Sequence, residues 1–429
     1  MQSKPYTKYK PSGIEWLGDV PEHWEVKKLK QTMSLITKKS NAETQNVALE
    51  NIESWSGKYI PSDTEFDGDG VTFQVGDILF GKLRPYLAKA YLAEFHGAAV
   101  GDFHVMRPIM MHLHGRYILY LILNKEVISL IDCSTFGAKM PRVNWEFMAN
   151  IPIPLPTLPE QQAIATFLYR ETGHIDALIA KKKKLLSLLA EQRTALISRA
   201  VTKGLNPSVK LKPSGVEWLG DVPEHWAMKK ILFLLHRLQD GTHFSPESDY
   251  SGEYLYITAK NIKGNGIDLS DITFVTKEAH EEIYKRCPVK KGDVLYIKDG
   301  ATAGIATVNN LEKEFSMLSS VAMLRPKPLA LDSKFLTYHL NNQAFKKFVL
   351  NSLVGGAMTR FTIEIISKFR LITPPLPEQQ AIADFLDCET AKIDALSAKV
   401  QTAIERLREY RTALISAAVT GKIDVREAV

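Results

Sequence analysis

The chain has 429 residues, 45% of them hydrophobic and 24% charged, with a formal net charge of +6. This length exceeds the roughly 250–300 residues at which a single core stops growing, and the composition is that of an ordinary globular protein, so two or more domains are expected. Three widely spaced cysteines argue against a disulfide framework or a thiolate zinc site, and the lack of a signal-like start or a long apolar run predicts a cytoplasmic protein with no membrane contact.

The first distinctive element is KPSGIEWLGDVPEHW at residues 10–24, which returns as KPSGVEWLGDVPEHW at residues 212–226. Fourteen of the fifteen residues match across an offset of 202. No metal-ligand spacing surrounds the histidine in either copy, so packing or hydrogen bonding is the favoured role for His23 and His225. The tryptophans are interpreted as anchors that pack each domain against a helix, with contact to a partner subunit as the alternative: Trp16, Trp24, Trp218 and Trp226.

A variable region follows each copy, and the two regions hardly resemble each other. In the first, β-type runs such as VTFQVGDILF (71–80) alternate with helical patterns such as RYILYLILNKEVISLI (116–131). The second alternates in the same way, beginning with EYLYITAKNI (253–262). We therefore predict two mixed α+β domains, at residues 1–155 and 206–373.

Two faint motifs are nevertheless shared by the variable regions. VGDILFGKLRPY (75–86) corresponds to KGDVLYIKDGAT (291–302), and GAKMPRVN (137–144) corresponds to GGAMTRFT (355–362). Arg142 and Arg360 thus occupy equivalent positions. These motifs place basic residues beside aromatic ones, a pattern that suits contact with nucleic acid.

Lysine and arginine neutralise phosphates, and arginine can read guanine through paired hydrogen bonds. The alternative for each residue is a solvated surface charge. The candidate DNA-contacting residues, which include two residues of the DGTH turn, are Lys38, Lys39, Lys82, Arg84, Tyr86, Lys89, Arg142, Thr242, His243, Lys260, Lys263, Lys298 and Arg360.

A second repeated block begins with LPEQQAIA at residues 158 and 376, an offset of 218. Its apolar residues follow a heptad pattern that predicts long coiled-coil helices, within segments 156–205 and 374–429, each ending near a glycine. The predicted helix-pairing residues are Ile164, Leu168, Ile175, Leu178, Leu185, Leu189, Leu196, Ile382, Leu386, Ile393, Leu396, Val400, Leu407 and Leu414.

Two equivalent helices in one chain pair most simply with each other, and pseudo-twofold pairing makes them antiparallel. The segment after the second helix also resembles the segment before the first KPSG, as in a circular repeat, so we expect the two terminal segments to lie close together. The predicted fold class is therefore α+β, with two globular mixed domains joined by two long antiparallel coiled-coil helices in an internal circular repeat.

Catalytic motifs are missing from the sequence. It has no G-x-x-x-x-G-K-[ST] phosphate loop, no G-x-G-x-x-G after a strand and no Asn-Pro-Pro-aromatic tetrapeptide of amino-methyltransferases. Glu25 and Lys27 resemble a nuclease Glu-x-Lys, but the second copy has Ala227 in place of the glutamate, which favours a charged loop end. We therefore predict no catalytic, cofactor-binding or metal-binding residue in this chain.

Nearly the whole chain resembles the specificity subunit of type I restriction–modification systems. The resemblance rests on KPSGIEWLGDVPEHW and its copy, GDILFGKLRPYLAK, GAKMPRVNWEFMANIPIPLPTLPEQQAIATFL, and LPEQQAIADFL with its helix ending RTALISAAVTGKI. It implies two target-recognition domains that each read half of a bipartite site in double-stranded DNA, and helices that set the spacer. It also implies two docked methyltransferase subunits and, through them, motor–nuclease subunits, which carry the S-adenosylmethionine, ATP and Mg²⁺.

Two other classes stay open at this point. One is a self-contained DNA enzyme, which the missing motifs disfavour, and the other is a coiled-coil scaffold without DNA contact. Within the family, a specificity subunit whose nuclease partner is absent is a further alternative.

Overall fold

A computed structural model describes residues 4–39, 45–62, 70–216, 218–351 and 360–427. The chain separates into two units: Met1–Lys183 together with Gln401–Val429 form the first, and Lys184–Val400 form the second. Each unit therefore joins one variable region to one half of each repeated helical block. Glu217 and residues 355–359 of the repeated motifs lie outside the described residues.

The first unit is built from short strands and three short helices. Its strands are β1 (Tyr9–Pro11), β2 (Asp19–Pro21), β3 (Glu25–Lys28), β4 (Met33–Ile36), β5 (Asn46–Val47), β6 (Gly70–Phe73), β7 (Ile78–Gly81), β8 (Ala90–Leu92), β9 (Gly97–Val100), β10 (Phe103–Pro108) and β11 (Pro152–Leu155). Its short α-helices are α1 (Gly115–Ile122), α2 (Lys125–Cys133) and α3 (Trp145–Asn150), and 3₁₀ turns occur at Leu29–Gln31, Leu49–Asn51 and Pro85–Leu87.

Four strands of this unit form an antiparallel sheet in the order β4-β10-β7-β8, and three form a sheet in the order β5-β9-β6. Two ribbons pair β1 with β2 and β3 with β11. The helix α2 starts after Asn124, whose side-chain oxygen accepts from the amides of Glu126 and Val127 and so satisfies two donors of the first turn. The predicted strand and helix patterns at residues 71–80 and 116–131 thus correspond to β6–β7 and α1–α2.

The long helix α4 (Leu158–Lys203) begins in the first unit, and its C-terminal part, from Lys184, belongs to the second unit. The strands of the second unit are β12 (Leu211–Pro213), β13 (Asp221–Pro223), β14 (Ala227–Lys230), β15 (Leu235–Asp240), β16 (Tyr254–Ile257), β17 (Ile262–Lys263), β18 (Gly266–Ile267), β19 (Thr273–Val275), β20 (Val294–Ile297), β21 (Ala306–Val308), β22 (Ser316–Met317), β23 (Val321–Pro326) and β24 (Arg370–Thr373). Its short helices are α5 (Ile231–Leu234), α6 (Lys277–Arg286), α7 (Ser333–Asn341), α8 (Gln343–Asn351) and α9 (Ile363–Ser367), with a 3₁₀ turn at Ala259–Asn261. The long helix α10 (Leu376–Val419) begins in this unit, and its C-terminal part, from Gln401, belongs to the first unit.

The two units share their central sheet although their sequences have diverged. The second unit has the order β15-β23-β20-β21, which matches β4-β10-β7-β8 strand for strand, and the ribbon β14-β24 matches β3-β11. A smaller sheet, β19-β16-β22, and the ribbons β12-β13 and β17-β18 complete it. The inner strands β7 and β20 are buried at all four of their residues, so the same strands form the interior of the sheet in both halves.

A buried ion pair explains why the glycine–aspartate of the first shared motif recurs. Asp77 accepts from Nε and Nη2 of Arg107 at 2.8 and 2.7 Å, joining β7 to β10. Asp293 accepts from the same two atoms of Arg325 at the same distances, joining β20 to β23. Both aspartates are almost fully buried, so this motif is structural in both halves.

The long helices pair half with half. The first unit contains the N-terminal part of α4 and the C-terminal part of α10, and the second unit contains the opposite parts. Nε of Arg411 lies 3.1 Å from Asp176 in the first unit, and Nε of Arg193 lies 3.4 Å from Asp394 in the second. These pairs are related by the offset of 218, as antiparallel, pseudo-symmetric helices require. The predicted fold class is confirmed.

The heptad prediction is only partly matched by burial along these helices. Ile164, Leu168, Ile175, Leu189, Ile382, Leu386, Ile393, Val400 and Leu414 are buried, and Leu196 and Leu407 are half-buried. The prediction is wrong at three positions, because Leu178, Leu185 and Leu396 have exposed fractions of 47%, 39% and 45%. Ile179 and Ile404 are buried instead, four residues after Ile175 and Val400.

The cause is the helical repeat itself. An α-helix with 3.6 residues per turn drifts by about 20° per heptad from a strict seven-residue pattern, so the buried stripe advances by four residues at intervals. Near the start of α10 the apolar residues serve another purpose. Ile382 and Leu386 belong to the same core cluster as Phe335 and Leu336 of α7, so they attach the helix to the globular part of the second unit.

The terminal segments meet inside the first unit. Lys4 and Asp424 form an antiparallel bridge, in which the Asp424 amide donates to the Lys4 carbonyl at 2.8 Å. The Tyr9 hydroxyl donates to the carbonyl of Gly421 at 3.0 Å. The predicted proximity of these two segments is therefore confirmed.

Within the described ranges, no helix has the length and apolar character needed to cross a membrane.

Candidate nucleic-acid interface

A buried glutamine in the first turn of each long helix fixes the position of each variable region. The side-chain oxygen of Gln161 accepts from the His114 amide at 2.9 Å, and its nitrogen donates to two backbone carbonyls. Gln379, at the equivalent position, accepts from the Asp332 amide at 2.9 Å and also donates to two carbonyls. The two regions are thus held on the helices by the same bonds.

The repeated opening stretch contributes a second attachment. Nε2 of His23 lies 2.8 Å from Glu160, and Nε2 of His225 lies 2.8 Å from Glu378, which confirms the predicted hydrogen-bonding role of both histidines. Burial raises the pKa of Glu160, but hydrogen bonds from His23 and Thr157 lower it by more, so the pKa lies below its ordinary value.

Both inner tryptophans of the opening stretches are fully buried at the ends of the long helices. Trp24 lies beside Gly421 and Trp226 beside Gly204. Each glycine has a left-handed backbone, with φ near 72° and 74°, which suits the residue that ends a helix. The predicted helix ends are therefore confirmed, and the tryptophans pack where the chain turns from helix to domain.

The two shared motifs meet in the first unit and form a basic turn, defined as residues 82–89 with Arg142. Leu83 forms a β-bridge with Arg142, and the Val143 amide donates to the carbonyl of Lys82 at 3.1 Å. Asp102 accepts from Nε and Nη2 of Arg142 at 3.1 and 2.8 Å, and it lies 3.8 Å from the Lys82 ammonium. The Asp102 hydrogen bond raises the pKa of Arg142 and keeps it charged.

The equivalent turn of the second unit is built from the same backbone contacts but different charges. Asp299 forms the β-bridge with Arg360, and the Phe361 amide donates to the Lys298 carbonyl at 2.8 Å. The Lys298 ammonium, with a side chain only 2% exposed, lies 3.2 Å from Asp299 and 3.5 Å from Asp240. Arg360 is 61% exposed and lies 3.5 Å from Asp299.

Asp240 collects a network of positive charges at the DGTH turn. Nη2 of Arg286 donates to its carboxylate at 3.0 Å, and Nε2 of His243 lies 3.3 Å away. With Lys298, three cationic or titratable groups face one buried carboxylate. Low exposure strengthens such a network, because the charges are poorly screened by water.

Backbone strain is concentrated in the first basic turn. Among the described residues, the non-glycine residues with φ in the left-handed region are Trp55 (64°), Arg84 (50°) and Ala88 (47°). Such conformations cost roughly 1–3 kcal/mol each and persist where surrounding contacts enforce them, often at functional sites. Arg84 and Ala88 flank the 3₁₀ turn Pro85–Leu87, and Tyr86 at its centre is 44% exposed.

The predicted DNA-contacting residues fall into three groups in the structure. Lys38, Lys39, Arg84, Tyr86 and Lys263 are exposed, and so is Arg360, which also pairs with Asp299. Lys82, Arg142, His243 and Lys260 pair with carboxylates of the same unit. Lys89, Thr242 and Lys298 are occupied in internal contacts.

This third group is reassigned from DNA contact to holding the turns. The Lys89 ammonium donates to the Leu49 carbonyl at 2.6 Å. Thr242 is buried, and its hydroxyl bonds to the backbone of Phe244. Lys298 is buried between two aspartates. They neutralise its ammonium, which would be costly to desolvate without a partner.

The acidic partners were missed by the sequence reasoning. Each of these residues has at least one contact partner that is distant in sequence; they are Asp102, Asp240, Asp299 and the cation Arg286. Asp102 lies 40 residues from Arg142, and Asp240 lies 46 residues from Arg286. Tertiary contacts bring these groups together, although the aspartate–glycine of DGTH was a local signal for Asp240.

Comparison with known proteins identifies the family. A family model described as the type I restriction modification DNA specificity domain matches the chain twice, over residues 21–187 and 223–406. The chain belongs to this family. Each match of the specificity-domain family spans one variable region and runs into the long helix that follows it.

Relatives and solved structures agree with this family. The type I restriction enzyme MjaVIII specificity subunit of Methanocaldococcus jannaschii is 24% identical over 423 residues, covering 95% of this chain and 94% of the relative. The EcoDI specificity subunit of Escherichia coli is 25% identical over 193 residues, or 43% of each chain.

Two solved structures share the fold of this specificity-family chain. A chain in a structure on complex assembly and conformational transition of the type I R-M system has a TM-score of 0.70 and 19% identity, covering 93% of this chain and 98% of that one. The HsdS subunit from Thermoanaerobacter tengcongensis has a TM-score of 0.56 and 18% identity, covering 94% and 98%.

Proposed function

We propose that this specificity subunit reads an asymmetric, bipartite sequence in double-stranded DNA, with each unit recognising one half-site. The observation that carries the proposal is the combination of one repeated scaffold with two different turns. Gln161 and Gln379 hold the two regions in the same way, whereas the turns around Arg142 and Arg360 differ in their charged partners. Different side chains on one frame imply two different half-sites.

The chemistry of each turn suits a groove of DNA. Pairing of Arg142 with Asp102 uses one edge of the guanidinium, so the other edge is oriented for an acceptor on a base or phosphate. The exposed cations, such as Lys38 and Arg84, would supply phosphate contacts that set affinity and salt dependence. Specificity then comes from a few base contacts at each turn.

The long helices would set the spacer between half-sites and dock two methyltransferase subunits. Several apolar side chains of these helices are exposed in the isolated chain, and a docked partner would cover them. They include Tyr169, Leu178, Leu188, Leu396 and Tyr410. In this proposal the chain performs no catalysis, and the partners bring S-adenosylmethionine and, for motor–nuclease subunits, ATP and Mg²⁺.

Mapping methylated adenines in cells that produce this chain with its methyltransferase tests the proposal. The expected result is a single methylated motif of two unlike half-sites separated by a fixed spacer, lost when this chain is deleted. A palindromic motif, or methylation that persists without the chain, would contradict it. Methylation by the isolated chain would instead favour a self-contained enzyme.

A further inference from the structure

The first basic turn is connected to the long helix α10 by a short chain of hydrogen bonds. The Trp55 amide donates to the Ala88 carbonyl at 3.0 Å, and the Ala88 amide donates to Pro85 at 2.8 Å. On its other side, the Trp55 carbonyl accepts from Nη1 of Arg411 at 2.9 Å. Trp55 and Ala88 both have left-handed backbones, so the connection runs through strained residues.

Arg411 is well placed to enforce this conformation. Its side chain is only 11% exposed, and its Nε lies 3.1 Å from Asp176 of α4. Asp176 also accepts from the Lys58 ammonium at 2.7 Å, which closes the loop that carries Trp55 onto the helices. Because the carboxylate holds Nε and the guanidinium is planar, Nη1 is presented to the Trp55 carbonyl in a defined direction.

The second unit offers a natural comparison. Arg193 is equivalent to Arg411, and it lies 3.4 Å from Asp394, the equivalent of Asp176. In the part of the chain that the structure describes, the contacts of Arg193 include no backbone carbonyl of the second variable region. The described residues of that unit also contain no non-glycine residue in the left-handed region.

We infer that Arg411 is a positioning residue for the first half-site, acting through the Trp55 carbonyl to hold the turn at Arg84 and Ala88. The inference rests on the proposed function, because it names what orients one of the two reading turns. Arg411 touches no DNA in this arrangement. It makes recognition by the first unit depend on the helix pair, whereas recognition by the second unit does not depend on Arg193.

The test uses the full chain in complex with its methyltransferase. Competition binding compares the target with DNA altered in one half-site at a time, and the first half-site is the one whose recognition depends on Arg142. Arg411→Ala is expected to reduce discrimination at the first half-site by about tenfold, the effect of losing one good base contact, and to leave the second unchanged. Arg193→Ala, which removes the equivalent ion pair, should leave discrimination unchanged at both half-sites.

A second variant separates positioning from general damage. Glycine adopts positive φ without strain, so Trp55→Gly in the Arg411→Ala background should restore part of the lost discrimination. Hydrogen exchange supplies a direct readout: the Trp55 amide should exchange faster in Arg411→Ala and at the normal rate in Arg193→Ala.

The outcomes distinguish this inference from the proposed function. If the unmodified complex discriminates at both half-sites and Arg411→Ala does the same, the inference is wrong and the proposed function stands. Equal losses at both half-sites would also overturn it, since they would indicate a general structural role. If the unmodified complex shows no discrimination at either half-site, the proposed function itself fails.

Discussion

Two parts of each unit can be compared: the frame, meaning the contacts that build a variable region and hold it on the long helices, and the turn at Arg142 or Arg360. The hydrogen bonds of the frame are repeated between the two units more faithfully than those of the turns. In the frame, Gln161 and Gln379 make the same three hydrogen bonds, and Asp77 and Asp293 make the same paired bonds to arginine. The helices even repeat the ion pair that Asp176 makes in the first unit. These repeated bonds build the two variable regions alike and hold them on the long helices in the same way.

The turns behave in the opposite way. Lys82 is about one-third exposed and lies beside Asp102, whereas Lys298, at the equivalent position, is 2% exposed and lies between two aspartates. The backbone bridges at Leu83 and Asp299 are nevertheless the same. Position is therefore retained while the charged partners differ, so one scaffold presents different chemistry in its two halves.

The largest effect is expected where the second unit leaves no space for a side chain. A Cβ on Gly241 would lie 1.8 Å from the Met317 carbonyl oxygen, so Gly241→Ala should force β15 away from the strand β22 segment and lower the free energy of unfolding by about 3 kcal/mol or more. Gly264→Ala is the matched control, because no atom lies within 4 Å of its added Cβ. Urea unfolding with equal midpoints for the two variants would refute this account of the DGTH turn.

The next largest effect is a dependence of stability on pH that arises from a histidine of the second unit. His339 is fully buried, and burial lowers its pKa from 6.5 to about 4. The unfolded chain binds a proton between these values and the folded chain does not, so stability is full above pH 6.5 and falls as the pH drops towards 4. The expected loss is about 2 kcal/mol at pH 5.

The first unit provides the matched variant for this test. Leu121 occupies the position equivalent to His339 and is equally buried. His339→Leu should therefore remove the additional acid sensitivity while the rest of the pH profile is kept. Urea midpoints measured from pH 7 to pH 4.5 give the difference between the two proteins, and parallel curves would mean that His339 does not titrate as described.

The repeats made the frame predictable and left the turns largely unpredicted. Equal blocks at a fixed offset required paired helices and neighbouring terminal segments, because both follow from symmetry rather than from side-chain detail. The exposed Leu178 shows the limit of a heptad pattern, since 3.6 residues per turn displaces the buried stripe.

The charges at the turns followed a different rule. Arg142, a candidate for DNA contact, lies in the first basic turn, but its partner Asp102 lies in the bend between β9 and β10 and has no periodic signal. Lys298 was predicted to face DNA, yet it is buried because two aspartates from separate segments neutralise it. Contacts of this kind depend on tertiary packing and could not be read from composition or spacing.

The smallest predicted effect bears most directly on the difference between the units. Arg142→Ala and Arg360→Ala should each weaken binding of the target by about 1–2 kcal/mol, within the lower part of the range for one arginine contact to a base, and each should relax recognition at a different half-site. Arg116→Ala removes the same charge from a surface pair elsewhere in the first unit and is the control for long-range electrostatics. Competition binding at fixed salt with DNA altered in one half-site measures both effects.

The pattern of losses decides what the two arginines do. If Arg142→Ala lowers affinity for target and random DNA equally, with a smaller salt dependence, the arginine contacts phosphate and sequence is read by other residues of the turn. Equal relaxation at both half-sites would mean that the units do not read independently. If each variant loses recognition at one half-site only, each arginine acts within its own unit. Because the frame is the same in both units, each arginine is then oriented by the bridge between the shared motifs of its own unit.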